Sequence, residues 1–406
     1  MQPRTSLSKA DAVLFCVLAG LLATLATGYS FGDGNHIGHL PIVMRVLDAE
    51  YLANDFFVNA NDAGVGPRYY YARLLALAIS VMPAHAVFLA LTIVSKSLLA
   101  LVTFHVAARL YPRAPLASVF AVAMVLCVES ITLGAATALA EPRLEPALLV
   151  RPFALLSLWM ALERRIFLST ALAMAAIPIH PLVGLEAAGI GLMAHCLHVL
   201  FPASKPADGI RARLRQLVGA GVCAMALLGT VYLLFGQFVE RSLSTSQFIA
   251  ILCYNRAPHH YVPSTFPTRG YLLTGCFLLA MWVAWHSWKR DASDPENPRK
   301  VLLANLVVVL LLCGGYLFVE VLPSRVFAAA QTFRTLFVVK WFGFLLFAGM
   351  AARAVGAKHD PASGWLLLLG SGLFQPVIAL IATVFVAARD RFRASFGPGV
   401  LQILFG

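Results

Sequence analysis

Charged side chains are scarce. Only 12% of the 406 residues are Asp, Glu, Lys or Arg, 60% are hydrophobic and the mean hydropathy is +0.80, whereas soluble domains carry roughly twice that charged share. Acidic residues are the rarer sign, 19 against 31 Lys and Arg. The seven cysteines include no CxxC and no paired spacing, which excludes a zinc motif and a disulfide framework. Six of them, Cys16, Cys127, Cys196, Cys223, Cys276 and Cys313, lie inside apolar runs, where cysteine behaves as a small hydrophobe. No ten-residue alternation suggests a β-barrel. Internal repeats, low-complexity tracts and a hydrophilic domain are also missing.

What is there is a series of apolar runs of about 18 to 25 residues, matching the ~20 residues a helix needs to cross a bilayer. The expected fold is all-α, a polytopic transmembrane bundle of about ten or eleven spans forming a single integral membrane domain over 1–406. The formal charge of +12 then reads as topology, with Lys and Arg held on the cytoplasmic side, and not as a nucleic-acid surface.

Arg4 and Lys9 precede the first run, which is expected to be an uncleaved helix over Asp11 to Tyr29 with its N-terminus inside. Further spans are expected over Ala86 to Ala108, Leu116 to Leu133, up to Leu162, from Ile166, Leu182 to Leu200, Leu217 to Gly236, up to Lys289, Val301 to Leu322, up to Arg353, and Trp365 to Ala388. Basic clusters alternate correctly until the end. There Arg389, Arg391 and Arg393 fall outside if the last segment crosses fully, or inside if it breaks near Gln375-Pro376 and re-enters.

This topology leaves two large non-cytoplasmic loops, 30–84 and 237–269. In the first, apolar residues from Ile37 to Tyr51 recur at helical spacing and predict a surface helix, and Leu74 to Met82 predicts a second one ending at Pro83. A further outside loop runs through Glu141, Arg143, Glu145 and Arg151, where Pro142, Pro146 and Pro152 argue against a regular helix.

Ionisable residues beside a membrane are costly and mark function. Asp33, in Gly32-Asp33-Gly34-Asn35-His36, reads either as a general base open to an acceptor hydroxyl or as an ordinary turn. Asp55 is a second candidate carboxylate, or a solvated loop residue. His36 and His39, at i and i+3, suit sugar hydroxyls, a phosphate or a metal. His180 sits between prolines, and Arg256, His259 and His260 stand among tyrosines, a combination that suits phosphate or a sugar ring. Glu141, Arg143, Arg151, Arg325 and Arg334 complete the outside set, with guanidiniums matched to phosphate oxygens or, alternatively, snorkelling to headgroups. No HExxH or DxD accompanies them, so a divalent metal stays an open alternative and no other cofactor is called for.

A single span followed by an outside loop opening with FGDGNH, surface helices, many further spans and later outside Arg and His resembles the GT-C superfamily of polytopic membrane glycosyltransferases. The RPF (151–153), HPLVG (180–184) and RAPHHYVP (256–263) segments look like those of a bacterial branch of membrane proteins. The resemblance implies a polyprenyl-phosphate-linked sugar donor, a glycan or lipid acceptor, Asp33 as base, and a bacterial inner membrane with the active face periplasmic. Two alternatives remain: a polysaccharide polymerase or ligase using undecaprenyl-linked substrates, and a transporter or flippase for a lipid-linked or anionic solute. Transport predicts paired charges at mid-span, and Lys96 with Glu186 is the pair to look for.

Overall fold

The computed structural model describes residues 8–127, 133–134, 138–202, 209–236, 242–356, 361–372 and 376–389. Every regular element among them is helical. Seven helices are long and apolar enough to cross a membrane and four apolar ones are shorter, so the protein is a polytopic helical bundle. Glu129, Arg391, Arg393 and Gln375 lie outside the described residues.

Helix α1 (Lys9–Ala26) starts on a Ser8 cap and is the first span. The polar segment after it folds as α2 (His36–Leu47), α3 (Phe56–Asp62) and α4 (Tyr69–Ile79). The expected surface helix to Tyr51 stops at Leu47, because Asp48 turns extended and its Oδ1 accepts the Glu50 N–H at 2.9 Å, a local bond that competes with the helix. The second surface helix starts earlier than Leu74, since the three tyrosines Tyr69, Tyr70 and Tyr71 belong to it. α2 and α4 bury Ile42, Val43, Tyr71 and Leu75 against Val87 and Phe88 of α5 (Ala84–Leu110). Gly20 of α1 lies directly against Ser97 of α5, the close backbone approach that small residues allow in membrane bundles.

α6 (Leu116–Cys127) is followed by the polar segment that leads to α7 (Pro146–Leu162). Here the expectation of a loop through Phe153 is wrong. Pro146 occupies the first helical turn, where its missing N–H costs nothing, and Pro152 is carried inside the helix, so Arg151 is a buried helical residue. α8 (Ile166–Ala176) and α9 (Pro181–Leu200) pack with α7, and Gly191 sits against Leu158 and Ala161. α10 (Ile210–Phe235) starts well before Leu217. Arg213 in its first turn donates to the Val199 and Leu200 carbonyls, both at 3.0 Å, and so caps the end of α9.

The second large loop carries α11 (Thr245–Ile249), a π-helical segment over Ala250–Arg256 and α12 (Pro258–Tyr261). α13 (Thr268–Asp291) and α14 (Glu296–Tyr316) follow, α14 widening to a π turn at Leu317–Val321. α15 (Arg325–Ala330) and a 3-10 turn at Thr332–Thr335 lead into α16 (Leu336–Val355), the central helix, whose apolar window is entirely buried.

The last apolar segment forms α17 (Pro361–Gly372) and α18 (Pro376–Arg389). A Cβ on Gly370 would lie 2.9 Å from Ile378 Cγ2 and 3.3 Å from Ala379 N. Eight residues apart in one continuous helix would stand ~12 Å apart along its axis. The chain therefore doubles back after α17, as the re-entrant alternative required.

Candidate functional site

α9 defines the two ends of the bundle. Its C-terminal His198 meets Glu296 at 3.2 Å and Arg164 at 3.2 Å, beside the Lys300–Glu163 pair at 3.4 Å. Its N-terminal His180, about 27 Å away at 1.5 Å per residue, meets a different set of residues, and the predicted site residues other than Asp55 and Arg325 gather around that end.

At the mouth of this end, the Gly32-Asp33-Gly34 turn places Asp33 half-exposed with Oδ1 3.3 Å from Arg143 Nη1. The other carboxylate oxygen has no partner among the described residues. Asn35 Nδ2 donates to both oxygens of Glu145, at 2.9 and 2.7 Å, and Arg143 Nε lies 3.7 Å from the same carboxylate. The turn is thereby tied to the segment leading into α7.

His36 is wholly buried between Phe31 and Phe88. Its Nδ1 accepts the Gly32 N–H at 3.2 Å, so Nε2 carries the proton and donates to the Leu144 carbonyl at 2.8 Å. Burial holds the imidazole below its ordinary pKa despite that bond. With both nitrogens engaged, His36 braces the turn. His39 is buried edge-on to Tyr71, its Nδ1 lacking a partner, and burial with Arg68 brings it down to about 4.

Further in, Arg151 donates to the Leu139 carbonyl at 3.0 Å, lies 3.9 Å from Glu141 and packs over the Phe337 ring. Burial pushes the Glu141 carboxyl above its usual range against the pull of Arg151. Lys340 of α16 is within electrostatic reach of both. His180 caps α9 by accepting the Val183 N–H at Nδ1, 3.2 Å, while Arg334 Nη1 stands 3.4 Å from its Nε2. Burial, Arg334 and Arg151 bring His180 down to about 3, a neutral ring at physiological pH.

Arg256 lies on the exposed face of the π segment with no ion-pair partner among the described residues. Its charge bears on Arg68, whose guanidinium packs over the Phe57 ring and is lowered first by burial and then by Arg256. The His259 and His260 rings lie 4.3 Å apart, tilted by 39°, beside Tyr261, whose hydroxyl accepts from Gln331.

Asp55 does not join this set. Its Oδ1 accepts the Val58 N–H at 2.8 Å, which makes it the cap of α3. Arg325 is likewise committed elsewhere, donating to the Leu243 carbonyl and stacking on Phe248. Lys96 and Glu186 do not pair. Lys96 donates to Thr27 at 3.0 Å, both Glu186 oxygens are buried without a hydrogen-bond partner, and the charge that bears on Glu186 is Arg334.

Arg68 and Glu145 are site residues that the sequence did not single out, and Glu186 was singled out only as a partner for Lys96. Among the described residues no three His, Cys, Asp or Glu side chains gather as a metal ion would require. No family model, no curated protein and no solved structure matches this chain.

Proposed function

We propose that this protein is a membrane glycosyltransferase of the GT-C type. It transfers a sugar from a polyprenyl-phosphate-linked donor to a glycan or lipid acceptor, in a bacterial inner membrane with the site on the periplasmic face. One observation carries the reading: arginines from four separate parts of the chain, Arg68, Arg151, Arg256 and Arg334, converge and bear on one another in pairs at one end of the bundle. The carboxylates that bear on them, Glu141, Glu145 and Glu186, are fewer, and the excess positive charge in a partly buried site suits an anion, with guanidinium forks matched to phosphate.

The free oxygen of Asp33 is open to an acceptor hydroxyl. As that hydroxyl oxygen bonds to the anomeric carbon, its proton passes to Asp33 and the bond between the anomeric carbon and the phosphate oxygen breaks. The phosphate leaves with the bonding electron pair, and the arginines stabilise the charge it gains. A polymerase or ligase acting on undecaprenyl-linked substrates would use the same groups. Transport is less well supported, because the mid-span pair it called for is not formed.

The test is transfer from a polyprenyl-phosphate sugar by the purified protein. Asp33→Asn is expected to lower the rate by ~100-fold or more, with donor binding retained. Arg256→Ala is expected to weaken polyprenyl phosphate binding, and Asp55→Asn to leave the rate close to native. Full activity in Asp33→Asn would overturn the assignment.

A further inference from the structure

The inner part of the site holds polar atoms whose hydrogen bonding is incomplete in a complementary way. A neutral imidazole carries one proton. His180 Nδ1 accepts the Val183 N–H at 3.2 Å, so Nε2 is the N–H and it faces Arg334 Nη1 at 3.4 Å, donor against donor. Reversing the tautomer only moves the conflict, since the Val183 N–H at the start of α9 would then face an N–H. Arg334 Nε is also buried without a partner. On the same helix, both Glu186 oxygens are buried acceptors without a donor, and Arg334 is the charge that reaches them. Buried polar atoms in this state each forfeit ~1–3 kcal/mol unless something completes them.

From this juxtaposition we infer that the site binds a sugar 1-phosphate unit with a hydrogen-bond donor on the carbon next to the phosphate-bearing one. A phosphate oxygen accepts from His180 Nε2–H and Arg334, and the neighbouring hydroxyl donates to Glu186. Arg334 links the two groups: it stands 3.4 Å from His180 Nε2 and is the charge that bears on Glu186. The inference deepens the transferase reading by naming what the donor must carry, and it makes Glu186 a specificity-determining residue.

The experiment is equilibrium binding to the full-length protein in detergent, with inorganic phosphate, glucose 1-phosphate, 2-deoxyglucose 1-phosphate and a polyprenyl-phosphate glucose as probes. Glucose 1-phosphate is expected to bind about tenfold more tightly than inorganic phosphate, and 2-deoxyglucose 1-phosphate no more tightly than phosphate. Glu186→Leu, which removes the acceptor, should abolish the preference, whereas Arg334→Lys should weaken all four probes. Equal binding of glucose 1-phosphate, its 2-deoxy form and phosphate to the native protein would overturn the inference without any variant. So would a preference for glucose 1-phosphate undiminished in Glu186→Leu. Tighter binding of the polyprenyl-linked probe identifies a lipid carrier as the source of the unit, and equal binding a soluble sugar phosphate; both support the inference. A preference without transfer activity leaves it standing and sinks the transferase reading, and transfer without the preference does the reverse.

Discussion

The Arg143 guanidinium lies across Gly34, where any side chain would overlap it. Gly34 has φ +52°, so glycine serves there twice, for the left-handed turn and for the space. The turn presents Asp33 and the arginine holds one of its oxygens, and the two features stand or fall together.

Gly34→Ala therefore costs more than backbone strain. Gly28, at φ +75° with nothing within 4 Å of its Cβ position, is the matched control. Both alanines should lower stability by about 1–2 kcal/mol from the left-handed conformation. Only Gly34→Ala should also displace Arg143 from Asp33 and lower the transfer rate, by ~10-fold for a lost charge-assisted contact. Thermal unfolding in detergent and transfer assays on the same samples separate the two effects.

Acidification should destabilise the site end, and His39 is a clean place to see it. Its folded pKa is about 4 against an ordinary 6.5, so the unfolded chain takes up a proton that the folded protein refuses. That contribution to stability is complete above pH 6.5 and is lost as the pH falls toward 4. Each such group gives a slope of up to about 1.4 kcal/mol per pH unit. His36 and His180 act in the same sense, while Glu141, whose pKa is raised, acts in the opposite sense above its ordinary value. His39→Phe, which keeps a ring against Tyr71, should flatten the pH dependence between 6.5 and 4 by one group's worth. An unchanged slope would mean that His39 is protonated in the fold.

The layout of the bundle is written in the sequence because hydrophobic length and the placement of Lys and Arg are nearly sufficient physics for a membrane chain. The roles of individual polar residues are not, because they depend on which partner comes near. Arg68 sits beside three tyrosines and reads as an interfacial anchor, yet α4 begins at Tyr69 and turns it over Phe57 toward Arg256. Asp55 reads as a catalytic carboxylate until α3 forms behind it and claims an oxygen. Pro152 reads as a helix breaker, but a largely buried helix holds it and buries Arg151 with it. Glu186 carried a signal, a carboxylate in the second turn after His180-Pro181. Only the structure shows that it faces Arg334 and not Lys96.

The reversal after α17 makes a topological prediction. With α17 of 12 residues, each arm is short of the ~20 needed to cross, and Gly370 lies against Ile378 across the reversal. Single cysteines at Ala362 and Arg389 in a cysteine-free background should react with an impermeant maleimide from the same side of sealed vesicles. Labelling from opposite sides would mean that the segment crosses.

Arg151 and Glu141 allow binding to be separated from folding. Arg151 is 1% exposed, donates to Leu139 and faces Glu141. Removing one member of such a buried pair strands the other charge, at a cost of about 3–5 kcal/mol. Arg151→Leu alone should therefore fold poorly, as read by monodispersity in detergent. Adding Glu141→Gln removes the stranded carboxylate and should recover most of that loss, since a neutral pair in place of a buried ion pair is often no less stable. If Arg151 also contributes to phosphate binding, as the convergence with Arg334 supports, the double variant will be well folded and still bind polyprenyl phosphate weakly. Native binding in that variant would make Arg151 a purely structural residue and leave the phosphate to Arg68, Arg256 and Arg334.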